Sequence, residues 1–252
     1  MHDFPAMKKY LGHKAARYDQ KRTWKTATQR DQVTVESYLA KIPPGSSVLD
    51  IPAGTGRFIE FCIGKGLVYT GVDISQDMLE VARMKIPAGV TNADLQVADA
   101  RALPFANDAF DYTIVVKFIK WLPTLKILTD VLKEIGRVTR KEAFVQITVA
   151  QATRPSLIAR GAKLLKKLPM VGAAFARRKD ARTGGSRAYS EQELADAFSA
   201  AGLHVRSMVD DRPPSKKKPS RKKRPTVRYF YVLSKHPLST NSGVPQSNAG
   251  IL

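Results

Sequence analysis

The stretch VLDIPAGTGRF, residues 48–58, decides how this chain folds. A short apolar run ends at an acid, Asp50, and enters a turn of small residues, after which RFIEFCIGK (57–65) reads as a helix. A strand that passes through glycines into a helix is the first half of a βαβ unit, whose ligand lies at the carboxyl end of the strand. A dinucleotide turn needs glycine at its first, third and sixth positions. Counted from Gly54, the sixth is Ile59, which disfavours nicotinamide cofactors. The helix is expected to start at Gly56 and Arg57, with its unpaired amides available as donors.

Outward from this turn the same alternation continues. Apolar runs at 46–51, 67–73, 95–99, 112–117 and 143–149 read as buried strands, and 57–65, 75–86 and 125–138 read as the helices between them, with Ser75 capping the second. A helix over 31–42 precedes them and ends at Pro43-Pro44. After Val149 the pattern breaks into a basic insertion, 151–187, then a helix over 190–202 with Ser190 and Glu193 in capping-box positions. Strands at 203–209 and 226–234 close the pattern, with a charged linker, 210–225, between them. The expectation is an α/β, Rossmann-like, doubly wound sheet of seven strands, mostly parallel. Its domain spans 31–234, with residues 1–30 as a separate N-terminal segment and 235–252 as a disordered tail.

A chain of 252 residues, 43% hydrophobic, suffices for one catalytic domain with additions. Cys62 is the single cysteine, so no internal disulfide forms. The N-terminus lacks the apolar stretch of a signal peptide, and no apolar run approaches the roughly 18 to 20 residues of a spanning helix. A cytoplasmic protein is expected, with any membrane contact peripheral at the inner face. The formal charge of +20 is unevenly spread: residues 31–142 hold 13 Lys/Arg against 14 Asp/Glu, whereas residues 154–228 hold 20 against 6. The appended segments therefore favour anionic partners, unless their charge serves solubility alone.

VLDIPAGTGRF resembles the first motif of class I S-adenosylmethionine-dependent methyltransferases, an acid followed by GxGxG, and Asp73 in GVDIS falls where that family places an acid on both ribose hydroxyls. VADARALPF (97–105) resembles the segment in which an acid, here Asp99, takes the adenine amino group and the next amide, here Ala100, meets the ring. NDAFDYTIVVKFIKWLP (107–123) resembles the fourth strand and loop of the type-11 branch, which includes the ubiquinone and menaquinone C-methyltransferases. The resemblance covers residues 31–150 and implies an antiparallel last strand, S-adenosylmethionine as cofactor and no metal. It implies cofactor contacts from Asp50, Ala53, Gly54, Gly56, Asp73, Ile74, Asp99, Ala100 and Lys117. One departure stands out: Pro52 replaces the first motif glycine, which removes an amide donor and fixes φ.

Membership implies methyl transfer by in-line displacement, for which alignment and exclusion of water suffice. Where the acceptor needs a base, His13, Tyr18 and Asp19 are candidates by position in a segment that resembles the family's lid. Lys120 and Trp121 follow the fourth strand and are expected in the acceptor pocket, against the alternative of ordinary surface and core residues. Residues 156–168 form a basic amphipathic pattern that suits either an anionic membrane surface or a cap on the active site. The acceptor expected is small, lipid-linked or anionic. Nucleic acid is the alternative, through the basic run 216–224, although the loop after the fourth strand lacks the Asp/Asn-Pro-Pro-aromatic signature of base-amino methyltransferases. A cofactor-binding protein without catalysis is a third reading.

Overall fold

The computed structural model describes residues 26–150, 187–210 and 226–237. Helix α1 spans Thr26–Leu39, β1 Ser47–Asp50, α2 Ile59–Gly64, β2 Val68–Asp73, α3 Gln76–Arg83, β3 Ala93–Val97 and β4 Phe110–Val115. A 3-10 turn, Ile119–Trp121, leads into α4, Leu125–Val138, followed by β5 Thr139–Ala150, α5 Glu191–Ala200, β6 His204–Asp210 and β7 Thr226–Ser234. The strands form one seven-stranded sheet in the order β3-β2-β1-β4-β5-β7-β6. Strands β1 to β5 pair in parallel, and β7 runs antiparallel to both neighbours. The expected seven-stranded sheet with an antiparallel last strand is therefore present.

The strands at the centre are apolar on both faces because helices cover both. Leu49, Ile51, Val115 and Val145 join one core cluster with α4 and α5, while Val48, Ile114 and Phe144 join the other with α1, α2 and α3. The strand order reverses between β1 and β4, and a crevice opens at their carboxyl ends.

Among the boundaries that differ from the sequence reading, three bear on the site. Helix α1 starts at Thr26, inside the segment read as a separate N-terminal unit, and its first turn is tied to the sheet through Thr28. Helix α2 starts at Ile59 instead of Gly56. Gly56 has φ of +71°, a left-handed conformation that no right-handed helix accommodates, and its amide already donates to the Ala53 carbonyl at 3.0 Å. Strand β3 ends at Val97, so Asp99 lies beyond it, in an isolated bridge with Ala102.

Candidate functional site

The glycine turn is anchored on both sides before it reaches the crevice. The Ile51 amide donates to Ile114 on β4, at 3.0 Å, and the Ala53 amide to Val72 on β2, at 2.9 Å. Pro52 sits between these two anchors, where no donor is needed, so the motif's departure costs the turn no backbone bond. Gly54, with φ of +57°, points its amide at Asp73 Oδ2, 2.9 Å away. Gly56 serves packing: a Cβ there would lie 2.4 Å from Ile59 Cδ1 and 2.9 Å from the Ala82 Cβ.

Asp73 ends β2 and is 8% exposed. Its Oδ1 accepts the Ser75 amide at 2.9 Å, so the carboxylate ties the glycine turn to the start of α3. Burial raises its pKa, and the backbone donors at Ser75, Gly54 and Ile74 pull the other way. With three backbone donors on about four acceptor directions, the carboxylate retains room for a further hydrogen bond. Asp99 is held differently: Arg101 donates to it from its backbone amide at 2.9 Å and from its guanidinium at 3.0 Å.

A cavity lies over these groups at the carboxyl edge of β1, β2, β3 and β4. Of the cofactor contacts that the resemblance implies, Ala53, Gly54, Asp73, Ile74, Asp99, Ala100 and Lys117 line it, as do Lys120 and Trp121. Asp50 and Gly56 are not on its wall. Asp50 is buried beneath the turn and accepts a hydrogen bond from the Tyr69 hydroxyl at 2.9 Å. The remaining wall is largely apolar, built from Phe58, Met78, Val116, Phe118, Leu122 and Val131. His13, Tyr18 and Asp19 lie outside the described residues, as do 156–168 and 216–224. Cys62 is buried, and burial, reinforced by nearby Asp50, pushes its thiol far above the ordinary range, consistent with a packing role.

On the α1 side of the cavity the structure assembles a charged cluster with no counterpart in the sequence reading. Asp31, fully buried on α1, accepts from Gln146 Nε2 of β5 at 2.8 Å and from Arg228 Nη1 of β7 at 3.0 Å. Lys117 Nζ stands 3.0 Å from its other oxygen and donates to Thr28 Oγ1 at 2.9 Å. The Lys117 amide donates to Gln146 Oε1 at 3.0 Å. Arg57 reaches the Thr28 carbonyl at 3.4 Å and lies over the Phe58 ring. A signal existed: Asp31 shares the buried stripe of Val35 and Leu39, and Gln146 interrupts an otherwise apolar strand.

Lys120 lies over the Trp121 ring, 5.1 Å from its centroid, and the Lys120 carbonyl accepts the Arg187 amide at 2.7 Å. The loop is held from below by Tyr189, whose hydroxyl donates to the Leu122 carbonyl at 2.9 Å. Among the described residues no group of three His, Cys, Asp or Glu side chains could hold a metal ion, and no helix is long and apolar enough to cross a membrane.

Comparison with known proteins agrees with this fold. A family model described as a methyltransferase domain matches residues 48–142. Demethylmenaquinone methyltransferase of Staphylococcus aureus is 28% identical over 168 residues, and the chain spans 65% of that relative's length, with 65% of its own length aligned. Two solved structures share the fold at 15% identity. Magnesium protoporphyrin IX methyltransferase of Synechocystis, with bound S-adenosylhomocysteine, aligns with a TM-score of 0.59 over 92% of this chain and 100% of that one. Geranyl diphosphate methyltransferase, in complex with S-adenosylmethionine, aligns with a TM-score of 0.58 over 90% and 92%.

Proposed function

We propose that this chain, whose residues 48–142 match a methyltransferase-domain model, is a class I S-adenosylmethionine-dependent methyltransferase that transfers a methyl group to a small, apolar or anionic acceptor bound in the cavity beside the glycine turn. The observation that carries this reading is the cavity itself, an apolar crevice at the switch point of the sheet with the buried Asp73 carboxylate in its wall. These residues fit an adenosine-bearing ligand. Asp73 holds the ribose hydroxyls through its remaining acceptor directions, while Asp99 and the Ala100 amide face the adenine. Ala53, Gly54 and Ile74 complete the contacts on the cofactor side. When bound, S-adenosylmethionine supplies a methyl group on a sulfonium sulfur.

The chain's own residues provide alignment and dryness. Phe58, Phe118 and Leu122 exclude water, which strengthens every charge interaction within the cavity. Among the described lining residues there is no histidine or tyrosine, and both carboxylates are already engaged by donors, so positioning carries the reaction there. Lys120 and Trp121 present a cation and an aromatic face to the acceptor.

The S. aureus relative is named for a menaquinone precursor, which supports a lipid-like acceptor. The basic pattern at 156–168 then serves approach to an anionic membrane surface. Incubating the purified protein with methyl-labelled S-adenosylmethionine and a fractionated cell extract tests the reading. Label is expected among small organic-soluble or anionic compounds. Label confined to RNA or DNA replaces this reading with nucleic-acid methylation.

A further inference from the structure

We propose that Arg101 is an internal occupant of the carboxylate that reads the purine, so that the base of the cofactor binds by displacing the Arg101 guanidinium from Asp99. This rests on the methyl-transfer reading and adds a selectivity residue to its cofactor site. The position of the base follows from the sheet. Asp73 at the end of β2 pairs in register with Val97 of β3, and its carbonyl accepts the Ala98 amide at 3.1 Å. A ribose on Asp73 therefore sends its base over the next strand, where Ala98, Asp99, Ala100 and Arg101 form consecutive cavity wall. Adenine offers an amino donor beside a ring-nitrogen acceptor, which matches a carboxylate followed by a backbone amide.

That carboxylate is already taken. Of its roughly four acceptor directions, Arg101 fills all: Oδ1 accepts the Arg101 amide at 2.9 Å and Nε at 3.0 Å, while Oδ2 accepts the same Nε at 3.0 Å and also Nη2. Hydrogen bonding to Asp99 raises the Arg101 pKa above the ordinary guanidinium value. A neutral amino group donates more weakly than this charged fork, so it replaces part of the set instead of adding to it. The contacts differ in how readily they are released. The backbone bond belongs to a turn that the Ala102 amide closes on the Asp99 carbonyl at 2.9 Å. The guanidinium contacts are the removable ones: the Arg101 and Asp99 side chains keep 30% and 31% of their surface, so water hydrates the displaced cation. Asp130 on α4 also acts on Arg101 from longer range. Entry of adenine thus exchanges a guanidinium for an amino group on Asp99, and its departure returns Arg101, which keeps the carboxylate satisfied and eases release of the spent cofactor. A purine with an oxo group at that position has no proton to offer and leaves Arg101 in place.

The test compares S-adenosylhomocysteine with S-inosylhomocysteine, in which an oxo group replaces the purine amino group, by titration calorimetry on the unaltered protein, Arg101→Met and Arg101→Lys. Arg101→Met is expected to bind S-adenosylhomocysteine about fivefold tighter, the scale of an exposed ion pair. S-inosylhomocysteine is expected to gain nothing, and Arg101→Lys to fall between the other two proteins. Unchanged or weaker binding of S-adenosylhomocysteine to Arg101→Met, or an equal gain for both ligands, overturns the inference and leaves the methyl-transfer reading standing. A second measurement needs no variant that folds. In the unaltered protein the Arg101 Nε proton is expected to exchange slowly with solvent, by NMR, and to lose this protection on saturation with S-adenosylhomocysteine but not with S-inosylhomocysteine. Protection that persists with S-adenosylhomocysteine overturns the inference equally. An unaltered protein that does not bind S-adenosylhomocysteine removes both readings.

Discussion

Asp73 and Asp31 are both buried carboxylates beside one cavity, and they are stabilised by opposite means. Asp73 is held by neutral backbone amides, from Gly54 in the glycine turn, from Ser75 at the start of the next helix and from Ile74 beside it. Asp31 is held by two cations and an amide side chain from three separate segments of the chain. Peptide dipoles come with the fold and leave the carboxylate's charge uncompensated, which suits a residue that must still accept hydrogen bonds from a ligand. Ion pairs discharge the carboxylate and fix the cations, which suits a residue whose task is to hold others. One side of the cavity is thus arranged around an acid, and the other around bases.

The comparison is broken most severely by Asp31→Ala. Removing the shared partner strands two cations, and urea unfolding is expected to show a loss of about 3 kcal/mol, at the low end for broken buried pairs. The low end applies because Lys117 and Arg228 keep 21% and 29% of their side-chain surface. Asp73→Ala leaves the Gly54, Ser75 and Ile74 amides without this acceptor and, on the proposed function, the ribose without a partner. S-adenosylhomocysteine affinity, read by calorimetry, is expected to fall about a hundredfold, equivalent to roughly 2.7 kcal/mol.

Acid sharpens the same contrast. The folded-state pKa of Asp73 is raised, so its contribution to folding is present when it is protonated and is lost as pH rises through that value. Ligand binding runs the other way, since hydroxyl donors need the ionised form. Affinity is therefore expected to decline on acidification from a pH above the ordinary carboxylate range, and Asp73→Ala to abolish that dependence.

Gly56→Ala tests packing on the cofactor side. A left-handed alanine whose Cβ meets Ile59 and Ala82 is expected to cost about 2 kcal/mol of stability, with S-adenosylhomocysteine affinity changed less than threefold. The smallest effect belongs to Ser190→Ala, remote from both carboxylates. Losing the capping box, in which Ser190 Oγ accepts the Glu193 amide at 3.2 Å, is expected to cost about 1 kcal/mol with ligand affinity unchanged. A large affinity change there would dissolve the division between the two sides.

The two sides also differ in how far they could be read from the chain alone. Asp50, Gly54, Asp73 and Asp99 fall at the ends of consecutive strands, so local alternation and spacing place them near one edge. What spacing does not give is burial order: Asp50 turns beneath the turn to meet Tyr69 and leaves the wall to its neighbours. The start of α2 was misplaced because glycine permits a left-handed φ without announcing it, and Gly56 uses that freedom. Asp31 and Gln146 were each visible as polar residues at buried positions, but their pairing in the Asp31 cluster was illegible for a different reason. Its members stand 115 and 197 positions apart, and only the docking of α1 on the sheet, with β7 inserted between β5 and β6, brings them together.

That insertion of β7 sets a timetable for synthesis. A nascent chain emerging in order completes β1 to β5 and the whole glycine turn while Arg228 is still unmade, so Asp31 waits with one cation instead of two. Arg228 lies about nine-tenths of the way along the chain, so the Asp31 cluster is completed only after every residue of the glycine turn has been made.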